Sequence, residues 1–258
     1  MADGRGRDMS RVYRVEAVVL RRLSFGETDR VVTLFTRDKG KLGAVAKGAR
    51  GPRSRLGGVT EPFTYFNGLM AQGQNLDVLT QAEVQNAFPG IRKDLQRIGY
   101  ASYFTELVDA GLEERQPTPE LWDLLVAALG TLESAETPDV LARAFEMHAL
   151  AVLGYEPHLH QCVLDDLPVD PQQVAFHPLR GGLLCPTCSR RTPGAVPLTP
   201  ETLAAFRALA NEPFQRAAHS SQPEGVRRQL GQCMLPYVRH HLDSPLRSLQ
   251  FLDDVAAG

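Results

Sequence analysis

Cys185-Pro186-Thr187-Cys188 places two thiols three residues apart across a tight turn, a spacing at which both can reach one divalent metal ion. A closed zinc site takes four donors, so two more are needed. Cys162 stands upstream, and Asp165 lies three residues beyond it, where a second Cys-x-x-Cys would place its other thiolate. Cys162, Asp165, Cys185 and Cys188 therefore read as a structural zinc site of three thiolates and one carboxylate. His160 or His158 is the alternative fourth ligand. The fourth cysteine, Cys233, falls on the apolar face of a helical pattern and reads as a small buried hydrophobe.

The second chemically distinctive stretch runs from Arg37 to Gly58. It carries Arg37, Lys39, Lys41, Lys47, Arg50, Arg53 and Arg55 against one carboxylate, Asp38, and so suits a polyanion. The formal net charge of −2 hides this asymmetry, because residues 1–60 hold fourteen Lys and Arg against six Asp and Glu, while residues 61–155 hold five against fourteen. The first block reads as a nucleic-acid-binding module. Phosphate contacts from these side chains read no base sequence and weaken steeply with salt. A nucleic-acid strand is the expected ligand, with a duplex as a second candidate. Glycine, proline and serine dominate Gly48–Gly58, which predicts an exposed loop.

No enzyme signature accompanies these features. Zinc deaminases need a His-x-Glu with a Pro-Cys-x-x-Cys, yet Leu184 precedes Cys185 and no His-x-Glu occurs. Gly-x-Ser-x-Gly is absent, and the phosphate-loop pattern fails where Ala49-Arg50 follows Gly48. The chain also lacks an uninterrupted apolar run of about 18 residues, the length that would argue a membrane span. Its N-terminal stretch has no apolar signal-peptide core and reads as a disordered start, so a cytoplasmic location is expected.

The elements that must hold these residues alternate in kind along the chain. Apolar, β-prone runs at 13–23, 30–36, 41–47, 63–70 and 76–84 predict five short strands, the pattern of a small closed barrel such as the OB-fold or an SH3-like barrel. After Phe88-Pro89-Gly90 the apolar spacing becomes helical, with starts at Ile91, Pro117-Thr118-Pro119 and Thr137-Pro138-Asp139. Residues 155–199 hold seven prolines and little periodicity, and Thr199-Pro200-Glu201 then opens a further helix. A last helical pattern spans about 225–241, and the tail from Ser244 carries leucines that suit docking. The expected class is α+β multidomain: a barrel over 1–86 and a helical domain over 87–258, with a zinc-binding insertion at about 156–199.

Glu16-Ala17-Val18-Val19-Leu20-Arg21, Gly26-Glu27-Thr28-Asp29-Arg30, Leu34-Phe35-Thr36, Gly40-Lys41, Ala44-Val45-Ala46-Lys47-Gly48-Ala49-Arg50 and Ser54-Arg55-Leu56 together strongly resemble the bacterial RecO recombination-mediator family. Ala101-Ser102-Tyr103 and Gly182-Leu183-Leu184-Cys185 are similar to its later landmarks. The resemblance implies an N-terminal OB-fold, a helical bundle and an inserted zinc-binding element. It also implies binding and annealing of single-stranded DNA, remodelling of single-stranded-DNA-binding protein, and cooperation with RecR in loading RecA. At Asp165 this chain departs from the family's usual four-cysteine pattern. An RNA- or ribosome-associated OB-fold protein is the alternative that the same charge pattern would serve.

Overall fold

A computed structural model describes residues 12–242 and 245–257. The chain divides into two compact units: residues up to Phe88 with Leu112–Trp122, and Pro89–Gly111 with the residues from Asp123 onward. The N-terminal stretch read above as a disordered start lies outside the described residues, as does Ser244 at the head of the tail.

The first unit is a closed barrel of β1 (Val12–Phe25), β2 (Asp29–Thr36), β3 (Gly40–Ala46), β4 (Tyr65–Ala71) and β5 (Asp77–Asn86). The strand order is β1-β2-β3-β5-β4. Neighbours run antiparallel except for β3 and β5, which close the barrel in parallel at Ala44↔Asp77 and Val45↔Val78. Alternation fills the interior with Val15, Ala17, Val19, Val32, Leu34, Leu42, Ala44, Phe66, Met70 and Leu79. A register shift between Val19 and Arg21 ends this inward pattern on β1. Beyond it Arg21–Phe25 is exposed along its length and pairs with Asp29–Thr33.

The stretch after β3 differs from the exposed loop expected of it. Successive turns fold it back, with Gly51 N–H to Gly48 O and Ser54 N–H to Gly51 O both at 3.0 Å. Ala49 and Val59 are buried in the barrel core, and Leu56 packs against it. Arg30 holds the far side, donating to Gly57 O at 2.9 Å and Thr60 Oγ1 at 2.7 Å. Three apolar side chains among eight glycines, arginines and prolines give no periodicity, yet they suffice to seat a closed loop.

The second unit is helical, with α1 (Leu95–Gly111), α2 (Pro119–Leu132, shared with the first unit at its start) and α3 (Pro138–Val152). α3 is buried along most of its length. The proline-rich segment follows and forms a small sheet of β6 (Val174–His177), β7 (Gly182–Leu184) and β8 (Val196–Leu198), with the short α4 (Pro186–Ser189) between the last two. α5 (Pro200–Asn211), α6 (Phe214–Ala218), α7 (Glu224–Leu242) and α8 (Arg247–Ala257) complete the unit. Thr199 caps α5 by accepting the Thr202 N–H at 3.2 Å. Phe176 of β6 stacks on Phe206 of α5 with ring centroids 5.2 Å apart, which fixes the small sheet to the helices.

Candidate metal centre and nucleic-acid face

Two loops of the small sheet bring the metal candidates together. Cys162 opens a tight turn in which the Asp166 N–H reaches Cys162 O and the Cys162 N–H reaches Leu167 O, both at 2.9 Å. Asp166 takes the left-handed conformation there, with φ +57°. Asp165 is steered by its Oδ1, which accepts the Leu167 N–H at 3.2 Å. Cys185 leaves β7 and caps α4, its sulfur accepting the Cys188 N–H at 3.4 Å. The two turns converge, and the donor atoms of Cys162, Asp165, Cys185 and Cys188 all lie within 4.8 Å of one another.

This set fits a metal ion. Three sulfurs and one carboxylate oxygen at such separations match the donor number and type of a closed tetrahedral site. Asp165 Oδ2 stands 3.2 Å from both Cys185 Sγ and Cys188 Sγ. Thiol donation from Cys162, Cys185 and Cys188 holds the Asp165 carboxyl down at about 2. The same carboxylate, with burial and the neighbouring sulfurs, pushes the Cys188 thiol up to about 12. A divalent cation supplies the opposite field, under which coordinating thiols deprotonate. His160 is exposed and stands outside the cluster, while His158 is used through its backbone, its N–H meeting Gly181 O at 2.9 Å. His177 is also structural: its Nδ1 accepts the Arg180 N–H at 3.3 Å and its Nε2 meets Pro193 O at 3.0 Å. Cys233 is fully buried, as its place on the apolar face of α7 predicts.

The seven cations of the Arg37–Arg55 stretch separate into two groups. Lys41 and Lys47 bracket β3, six positions apart, which corresponds to about 20 Å along a strand. At the first end, Arg37, Lys39 and Lys41 surround the β2–β3 turn, and Leu112–Trp122 lies over that turn. Glu114 bridges to Lys41, the Arg115 N–H donates to Lys41 O at 2.7 Å, and the Arg37 guanidinium sits 5.6 Å from the Trp122 ring centroid. Arg37 and Lys41 are thus engaged by the protein itself, while Lys39 is exposed at the turn.

At the other end Lys47, Arg50, Arg53 and Arg55 are all exposed. Among the described residues no ion pair engages Arg53 or Arg55. The loop is tied to the β1–β2 hairpin beside them. The Arg50 N–H donates to Thr28 O at 2.8 Å, the Arg50 guanidinium to Gly26 O at 3.1 Å, and the Gly48 N–H to Asp29 Oδ1 at 2.8 Å. That last bond is the chief cause of the lowered Asp29 pKa.

Register completes this face with residues that charge alone does not single out. Leu23 pairs with Val31 and Val31 with Val45, while Phe25 pairs with Asp29 and Arg21 with Thr33. These alternate with the inward set, so Arg21, Leu23 and Phe25 share the outer face of β1-β2-β3 with Val31 and Val45. Leu23 and Phe25 are each 58 % exposed, whereas Phe35, the other aromatic in this part of the chain, is fully buried. An apolar strip edged by cations is a surface on which bases stack while phosphates are neutralised. The sequence signal for it was the Arg21-Arg22 pair ahead of a glycine turn, but the β1 bulge that exposes it has no composition of its own.

Family comparison agrees with this layout. Residues 9–88 match the model described as recombination protein O N terminal, and residues 92–250 match recombination protein O C terminal. The chain belongs to the RecO family. Among its relatives, the DNA repair protein RecO of Anaeromyxobacter dehalogenans (strain 2CP-C) is 38% identical over 249 residues, covering 96% of this chain and 98% of the relative. The DNA repair protein RecO of Roseiflexus sp. (strain RS-1) is 37% identical over 245 residues, covering 95% of this chain and 86% of the relative. That of Bacillus subtilis (strain 168) is 35% identical over 244 residues, covering 94% of each. The barrel strands of this RecO-family chain fall within the first matched region, and the helices from α1 to α7 within the second. No helix among the described residues is long and apolar enough to cross a membrane.

Proposed function

We propose that this RecO-family chain is a DNA repair protein that binds and anneals single-stranded DNA on the outer face of β1-β2-β3, and that it acts with RecR to load RecA on DNA covered by single-stranded-DNA-binding protein. The observation that carries the DNA reading is the group Lys47, Arg50, Arg53 and Arg55 beside exposed Phe25 and Leu23. Lysine and arginine contact phosphates, and the apolar strip receives unstacked bases. Annealing then requires two screened strands and no bond-making step. Arg37, Lys39 and Lys41 are a second, weaker contact, since the Leu112–Trp122 segment already engages their end of β3. RecR, RecA and the single-stranded-DNA-binding protein enter through the family resemblance alone.

In this reading the ion at Cys162, Asp165, Cys185 and Cys188 is zinc, chosen by the three thiolates, and its role is to join the Cys162–Leu167 turn to the Cys185–Cys188 knuckle. The test of the DNA reading is Phe25→Ala. It should weaken single-stranded DNA binding by about 1–3 kcal/mol, the worth of one stacked base, while leaving the salt dependence unchanged. Unaltered affinity would remove the apolar strip from the site. Stronger binding to RNA of the same sequence would favour the ribosome-associated alternative, because the 2′-hydroxyl is what distinguishes the two.

A further inference from the structure

The barrel is closed, yet one of its strands is paired on both sides for only a fraction of its length. β5 meets β4 from Val78 to Asn86, but its contact with β3 ends at Val78. The free length of β3 is taken up elsewhere, with Lys41 O accepting the Arg115 N–H and Lys41 bridging to Glu114. From Leu79 to Asn86 no comparable backbone partner covers the outer edge of β5 among the described residues. Thr80, Gln81, Glu83, Val84 and Gln85 are exposed along it. An unpaired strand edge of this length is a template for another strand.

The side chains along the edge specify what that strand would carry. Thr80 lies at a register shift, after which Gln81 and Glu83 sit opposite Leu69 and Asn67, while Ala82 and Val84 sit opposite Gly68 and core Phe66. Gln81 and Glu83, on the outward face, form the β5 side of a groove of about 580 Å³ that runs across β4 to Arg14 and Glu16 of β1 and also takes in Asp38. Its charged lining is three carboxylates, Glu16, Asp38 and Glu83, against the single cation Arg14. On the inner side Val84 is 42 % exposed and offers an apolar neighbour. We propose that the outer edge of β5 accepts an extended segment of a partner protein in which cationic and apolar residues alternate. Its backbone would extend the β1-β4-β5 sheet, its cations would lie beside Glu83 at the rim of the acidic groove, and its apolar residues would lie beside Ala82 and Val84.

The experiment uses the full chain and a labelled synthetic peptide alternating lysine and valine, with an alternating glutamate–valine peptide as control. Binding of the lysine peptide, slowed amide exchange over Leu79–Asn86, and loss of about tenfold in affinity in Glu83→Lys are expected. The same peptide with alternate amides N-methylated should bind more weakly, since one backbone edge is blocked. Single-stranded DNA affinity of Glu83→Lys should remain unchanged, which separates this surface from the proposed DNA site. Failure of the lysine peptide to bind would overturn the proposal. So would equal binding by Glu83→Lys, or protection that maps away from β5. A concentration-dependent dimer protected over Leu79–Asn86 and dissolved by Glu83→Lys would also overturn it, by giving the edge to a second copy of the chain.

Discussion

Arg115 grips the barrel at two points: its guanidinium donates to the fully buried Asp77 carboxylate at 3.0 Å, and its N–H donates to Lys41 O at 2.7 Å. Asp77 also accepts the Tyr13 hydroxyl and, at 3.0 Å, the Gly73 N–H. One buried carboxylate thus joins the start of β1, the start of β5 and the Leu112–Trp122 segment at the place where β3 and β5 close the barrel. Asp77→Ala would leave several donors without their acceptor and should cost about 3 kcal/mol of stability in urea unfolding. Arg115→Ala should cost less, about 1 kcal/mol, because half of that side chain is in solvent.

The same cluster sets a pH window. Burial, and then the bond to Asp77, push the Tyr13 hydroxyl up to about 12. A folded value above the unfolded one means that this contribution is whole below about pH 10 and is lost as pH rises toward 12. Asp77 moves the other way. Burial raises its carboxyl, but Tyr13, the Gly73 N–H and Arg115 outweigh burial and the net direction is down. Its contribution is therefore present above the ordinary carboxylate range and is lost as pH falls through the depressed value. Tyrosinate absorbance should develop late, and Tyr13→Phe should remove part of the loss of stability on the alkaline side.

Two glycines with similar backbone angles should respond differently to alanine. Gly40 has φ +68°, and a Cβ there would fall 2.2 Å from Gln116 O. Gly48 has φ +64° with nothing near. Gly48→Ala should cost about 1 kcal/mol of conformational strain alone. Gly40→Ala should cost well beyond that and should expose Leu112–Trp122 to limited proteolysis.

The metal centre predicts one zinc per chain. Cys185→Ser or Cys188→Ser should abolish tight binding, Asp165→Ala should weaken it, and Asp165→Cys should retain it. His160→Ala should leave it unchanged. With free zinc about a hundredfold above its dissociation constant, binding should stabilise the protein by about 2.7 kcal/mol relative to chelator. Calorimetry with competition by a chromogenic chelator measures both quantities.

The barrel was legible because its strands alternate: Val15, Ala17 and Val19 inward on β1, and Leu42, Ala44 and Ala46 inward on β3. The clustering of Cys162, Asp165, Cys185 and Cys188 was legible because three-residue spacing is a local property of the chain. The sheet of β6, β7 and β8 was not, since each strand spans only three or four residues and period two has no room to show. Charge located the cations of the Arg37–Arg55 stretch but not their separation. That depends on β3 standing between Lys41 and Lys47, and on the distant Leu112–Trp122 segment reaching one end. The exposure of Phe25 follows from the β1 bulge, whereas Phe35, on the same outer face of β2 as Val31 and Thr33, is fully buried, a difference that composition does not encode.

The most direct measurement is fluorescence anisotropy of a labelled single-stranded oligonucleotide across a salt series, comparing the native chain with two variants. One changes Lys47, Arg50, Arg53 and Arg55 to glutamine, and the other changes Arg37, Lys39 and Lys41. Each neutralised phosphate contributes roughly −0.7 to the log–log salt slope, so the first variant should lose affinity and flatten the slope by roughly 2 to 3. The second should change both by a smaller amount. A native chain that does not bind, or a first variant that binds with an unchanged slope, would contradict the assignment of DNA to this face.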